Sequence, residues 1–414
     1  GGALMKPINL AEPMPAQVAF HQVSQWSLWM LAFRPFFLAG GSLACLSVGY
    51  WLLILSGDAQ WYLVMPANLW HAHEMLFGFA GVVVAGFLLT AAQTWTGVAS
   101  INGKPLMWLS LIWLSARLSF FVVVPSIDQF NVYAVLILQV VWWLSVIIVL
   151  ASMLIKVSSK RNYLFLFILS FLCTLNMLYL ILVLKNQTQL ALAMVDTAVL
   201  VISLLVGVVA GRVLPFFTAK GLGLSKQVRT PNIDKAILYL SVLAIALFFI
   251  SKLFFTVINP ALVVMSAAFL HLVRGVCWWN KQVLKVPLLW SLHFAYLALG
   301  IGLMLVAISF YSSAILFKDA LHFITIGGIG MMILAMMTRV SLGHTGRSLS
   351  IPGFMNLAFA LVFSAAIIRA FLPSFIGPHL AWQISAVLWL LAFLLFLIHC
   401  TPILTRRRVD GRRG

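Results

Sequence analysis

The tract WHAHEM, Trp70 to Met75, sets two imidazoles and a carboxylate within four residues inside an otherwise apolar run. A neutral imidazole nitrogen binds haem iron and other transition metals, and a glutamate can accept or deliver a proton, which makes Glu74 the candidate catalytic acid or base. At about 100° per residue, His71 and His73 point to nearly opposite sides of a regular helix, whereas His71, Glu74 and Gly78 share one side. The two histidines are therefore predicted to serve different partners. Asn68 stands where it could cap that helix, and the positive end of the helix dipole beside both rings would favour the uncharged, metal-binding form.

His322 opens a second such run, DALHFITIGGIGMMILAMMTRVSLGHTGR over 319–347, and falls at the same outer depth as His71 and His73. These three form one candidate cluster. His271, His293 and His344 make a looser second set, nearer the inner side. Arg117 in LSARLSFF and Arg274 in HLVRGVCWW fall within apolar runs where acids are scarce, and a buried cation needs an anion. Haem propionates would provide one, and the three-residue spacing of His271 and Arg274 would put a ligand and a propionate partner on one helix face. Gly327, Gly328 and Gly330, like the run GFAGVVVAG over 78–86, let a flat cofactor or a neighbouring helix come close. Met331, Met332, Met336 and Met337 read as flexible core filling more readily than as a copper(I) site.

These residues need a scaffold, and composition dictates its class. The chain has 414 residues, 63% of them apolar and only 8% charged. That is an integral membrane protein, and because lipid offers backbone groups no partners, its apolar runs of about 20 residues must be helices. Runs near 35–56, 69–95, 105–124, 131–155, 162–184, 190–217, 234–257, 261–280, 287–310, 319–340, 352–371 and 381–402 predict an all-α polytopic bundle of about twelve transmembrane helices. The net charge of +18 arises in short connections and not on one soluble face, which argues against nucleic acid as a partner. Lys and Arg alternate between connections so that both termini are predicted to be cytoplasmic. Residues 1–34 are expected to be an N-terminal segment with a short interfacial helix over 15–30, residues 35–402 the transmembrane domain, and residues 403–414 a basic cytoplasmic tail. No basic start followed by an apolar block suggests a cleavable signal. Cys45, Cys173, Cys277 and Cys400 stand singly, so neither a disulfide framework nor covalent c-type haem is supported.

Four blocks, FRPFFLAGG (33–41), WHAHEMLFGFAGVVVAGFLLTAAQTWTG (70–97), RVLPFFTAKGLG (212–223) and HFITIGGIGMMILAMMTRVSLGHTGR (322–347), closely resemble the NnrS family of bacterial inner-membrane proteins. The resemblance implies a twelve-helix protein that binds haem and copper, is made in response to nitric oxide in denitrifying and related bacteria, and protects against nitrosative stress. It implies His71, His73, His322 and His344 as motif histidines, with Glu74 and Arg339 beside them. His271 and His293 are added by depth alone, as are Arg117 and Arg274 by burial.

The leading functional expectation is a noncovalent b-type haem protein, with one or more hemes, that binds or turns over nitric oxide. If nitric oxide is reduced, electrons must come from a quinol or another outside donor, because no flavin or cytochrome domain is present. A transporter of a small metabolite or metal complex is the alternative, since twelve helices suit it, but no inverted repeat is visible. A non-catalytic haem or nitric oxide sensor is a third reading, disfavoured by the small loops.

Overall fold

The computed structural model describes residues 26–255 and 257–414. Among these there are helices and no strands, and the long helices are α1 (Phe33–Ser56), α2 (Ala67–Thr96), α3 (Gly103–Ser119), α4 (Phe130–Lys156), α5 (Tyr163–Leu184), α6 (Thr188–Leu222), α7 (Pro231–Phe254), α8 (Ala261–Trp278), α9 (Pro287–Ser309), α10 (Phe317–Gly343), α11 (Gly353–Phe371) and α12 (Pro378–Thr405). Eleven are long and apolar enough to cross a membrane; α3, at 17 residues, is the exception. Its predicted span ran to 124, but the helix stops at Ser119 and the chain turns before Pro125. Of the expected interfacial helix over 15–30, residues 15–25 lie outside the described residues, and Ser27–Trp29 form a single turn.

Burial sorts the spans into two shells. The most apolar stretches of α2 and α10 are 83% buried and that of α6 is 78% buried, whereas α7 reaches only 28% and α4 33%. A helix that is hydrophobic all round and still half exposed fits contact with lipid; one buried on every side belongs to the bundle interior. The tracts singled out for their chemistry, on α2 and α10, thus lie in the inner shell.

Both inner helices change winding directly after their histidines. Ala67–His73 is α-helical, Glu74–Ala80 is π-helical, and α-geometry resumes at Gly81. The same sequence of windings recurs in α10, with Phe317–His322 followed by π-helical Phe323–Gly330. A π segment holds an extra residue per turn and concentrates at functional sites. Close packing accompanies it: a Cβ on Gly302 would lie 3.0 Å from the Ile324 backbone nitrogen, and one on Gly328 would lie 3.1 Å from Leu299 Cα, so α9 and α10 meet backbone to backbone.

Arg34, at the start of α1, is fully buried. It donates to the carbonyls of Leu404 (2.9 Å) and Arg406 (2.8 Å), filling acceptors that the end of α12 leaves free. The tail then folds back on the connection after α10, where Arg408 Nη1 donates to the His344 carbonyl (2.6 Å) and Val409 N to that of Thr345 (3.2 Å). Hydrogen bonds from Arg408 hold the Asp410 carboxyl well below the usual carboxylate range.

Candidate functional site

α2 begins at Ala67 after Pro66, whose fixed φ suits a helix start, and no side chain caps it; the predicted Asn68 cap is absent. His71 and His73 nevertheless diverge as their spacing requires. His71 stacks on Trp51 of α1 with ring centres 4.7 Å apart and planes 11° apart. His71 is also within electrostatic reach of His322, and Arg369 of α11 is a charged neighbour common to both rings.

The chemistry of each ring follows from its partners. His322 Nδ1 lies 2.6 Å from the Lys318 carbonyl oxygen. A carbonyl only accepts, so Nδ1 carries the proton and Nε2 keeps its lone pair, the arrangement common in histidines that bind metals. His71 Nδ1 is buried without a partner. The surrounding charges are already matched: Arg369 pairs with Asp319 (2.5 Å), and Lys318 with Asp196 (2.5 Å). The structure thus brings together two imidazoles with nitrogen left over, on two interior spans that both turn π-helical below them.

His73 has a different setting. Its Nε2 lies 2.8 Å from Asn176 Oδ1 of α5, and its Nδ1 3.0 Å from Glu74 Oε1. Both ring nitrogens are taken, so none remains for a metal. Glu74 in turn pairs with Arg117 Nε of α3 (2.9 Å), and Arg117 Nη2 donates to Gln139 of α4 (3.1 Å). The chain Asn176, His73, Glu74, Arg117, Gln139 ties four spans together, and every member is at least nine-tenths buried. Arg117 therefore already has its anion. Tyr179 closes the network against α2 by donating to the Leu69 carbonyl (2.5 Å).

Arg274 is also satisfied within the protein. It donates to Asp234 of α7 (2.8 Å), to Tyr296 Oη of α9 (2.7 Å) and to the Gly207 carbonyl (2.7 Å). No haem propionate is needed to neutralise it, contrary to the expectation drawn from the scarcity of acids. His271 sits 2.7 Å from the same Tyr296 hydroxyl. Tyr296 Oη thus bridges Arg274 Nε and His271 Nδ1, so one ring nitrogen of His271 is engaged within the protein. His293 Nε2 meets Thr218 Oγ1 (2.9 Å), and His344 lies against the Phe33 ring at 5.6 Å. The looser second set does not converge. Arg339 is about 25 Å along α10 from His322, counted at 1.5 Å per residue, and rests on Phe217.

Among the described residues no three His, Cys, Asp or Glu side chains gather in a metal-holding group. Haem supplies four equatorial nitrogens and asks the protein for one or two ligands, which the His71 and His322 pair can give. A protein-ligated copper would need more ligands than this site brings together.

The sequence reading passed over several members of these groups. Asn176, Gln139 and Tyr179 are polar side chains within strongly apolar spans, and the rule that flagged the histidines would have flagged them too. Asp234 and Arg369 lie near span ends, where charge is ordinary, and nothing in one sequence shows that they reach inward. No curated protein matches the chain significantly. A family model described as NnrS protein matches residues 27–408, nearly the whole chain, with all four resembling blocks inside that range. The chain belongs to the NnrS family.

Proposed function

We propose that the chain is a haem-binding integral membrane protein, with His71 and His322 as the residues that would hold the haem, and that it binds or turns over nitric oxide and so protects against nitrosative stress. The observation that carries this reading is the pair of imidazoles on α2 and α10 that retain nitrogens unengaged by the protein. A haem held there would supply iron for nitric oxide, which can bind only where one of the two histidines gives up its position.

The protein's own part is to orient and to exclude water. The Lys318 carbonyl fixes the tautomer of His322, and Trp51 fixes the plane of His71. The salt bridge of Arg369 with Asp319 closes the charge around the pair. Glu74 lies next to His73, in a network that can hold or pass a proton without opening the interior to water. If nitric oxide is reduced, that network is the proton source best placed beside the site, and a membrane quinol is the electron donor. We place the site toward the periplasmic face of a bacterial inner membrane, with both termini cytoplasmic, following the distribution of Lys and Arg.

Purified protein incubated with nitric oxide and a reduced quinol analogue tests the turnover half of the proposal. Quinol-dependent loss of nitric oxide above the rate of a His322→Ala control is expected. Binding without loss would leave a haem protein that holds nitric oxide, and neither binding nor loss would overturn the reading.

A further inference from the structure

α6, α7 and α8 carry a second polar level, one step further into the bundle than the Arg274–Asp234 pair. From Asp234 to Ser241 is seven residues along α7, and from Arg274 to His271 three along α8. From Gly207, whose carbonyl accepts from Arg274, to Ser203 is four along α6. Each step returns to the same helix face, so Ser241, His271 and Ser203 face one another as Asp234, Arg274 and Gly207 do. Gly207 permits the approach, because a Cβ there would lie 2.8 Å from His271 Cε1.

Between the three spans lies a cavity of about 20 Å³, lined by Ser203, Ser241 and His271 and by apolar side chains that include Leu200, Ile245 and Leu303. Each of the three polar residues is at least nine-tenths buried. Each also keeps hydrogen-bonding capacity that the protein does not use. His271 gives Nδ1 to Tyr296 Oη, and among the described residues nothing engages its Nε2 or the Ser241 hydroxyl. Ser203 Oγ donates to the Val199 carbonyl (2.8 Å), which leaves its lone pairs to accept.

Size and chemistry together name the occupant. A space of this volume holds one water molecule and nothing as large as haem or a lipid. A metal ion does not fit, because one imidazole and two neutral hydroxyls are its only ligands and the Arg274 cation stands one turn away. An apolar gas would leave a buried hydroxyl and a ring nitrogen unbonded. Water both donates and accepts, so it serves either tautomer of His271. We propose that this cavity binds one water molecule, held by His271 Nε2, Ser203 Oγ and Ser241 Oγ. The water joins α6, α7 and α8 and extends the chain Asp234, Arg274, Tyr296, His271 to mid-span, whether or not the protein holds haem.

A cryo-electron microscopy map of the full chain in lipid nanodiscs, at a resolution that shows other buried waters, tests this. A single peak within about 3 Å of His271 Nε2 and of both hydroxyls is expected. An empty cavity, or a peak coordinated as a metal ion, would overturn the proposal. The sign of a stability change is a second test. A hydroxyl bonded to water stabilises the fold, whereas a buried hydroxyl in a dry cavity destabilises it. Ser241→Ala should therefore lower the melting temperature relative to Ser145→Ala, where the lost hydroxyl bonds only the Val141 carbonyl of its own helix and the gain in helix propensity is the same. A melting temperature of Ser241→Ala equal to or above that of Ser145→Ala would show a dry cavity and also overturn the proposal.

Discussion

Two buried groups in this bundle draw on the same residue types and end in opposite states. Around His271, Arg274 finds Asp234, Tyr296 and the Gly207 carbonyl, and the Tyr296 hydroxyl holds the histidine Nδ1 at 2.7 Å. Around His71 and His322, Arg369 and Lys318 are matched by Asp319 and Asp196, but His71 Nδ1 is left buried without a partner. Intramembrane polarity alone therefore does not mark a ligand site. What separates the two is whether the local charges are closed without using the rings.

That contrast can be broken by exchanging the roles. His322→Ala should lower the haem-to-protein ratio at least tenfold, whereas His271→Ala should leave it within twofold of wild type while lowering thermal stability; pyridine haemochrome assay against protein concentration reads both. Glu74→Gln strips Arg117 of its carboxylate where both partners are buried, and should cost about 3–5 kcal/mol, seen as a loss of thermal stability in detergent. Asp234→Asn should cost less, about 2 kcal/mol, because Asp234 is 36% exposed and Arg274 keeps two other acceptors. Gly328→Ala should cost a comparable amount, about 1–3 kcal/mol, from crowding Leu299, and should perturb haem content only if the π segment rewinds.

Much of this arrangement is legible in the residues. The span boundaries follow hydropathy to within a few positions, and the divergence of His71 from His73 follows from the helical angle. The π windings are not legible, since one extra residue in a turn shifts faces by less than an apolar run can reveal. The pairing of Arg274 with Asp234 was hidden for another reason. Asp234 sits in the first turn of α7, where an acid is unremarkable, and the long arginine side chain reaches it across a helix. The missing Asn68 cap shows how a proline two residues earlier can set a helix start before the capping residue is reached.

Electron paramagnetic resonance of the oxidised, purified protein would report the ligands on the iron. With His71 and His322 both bound, the wild type should give a low-spin signal from two imidazoles, and His71→Ala should convert it to a high-spin signal with haem still present through His322. An identical low-spin spectrum in wild type, His71→Ala and His322→Ala would place the haem elsewhere, and folded protein without haem would remove it altogether.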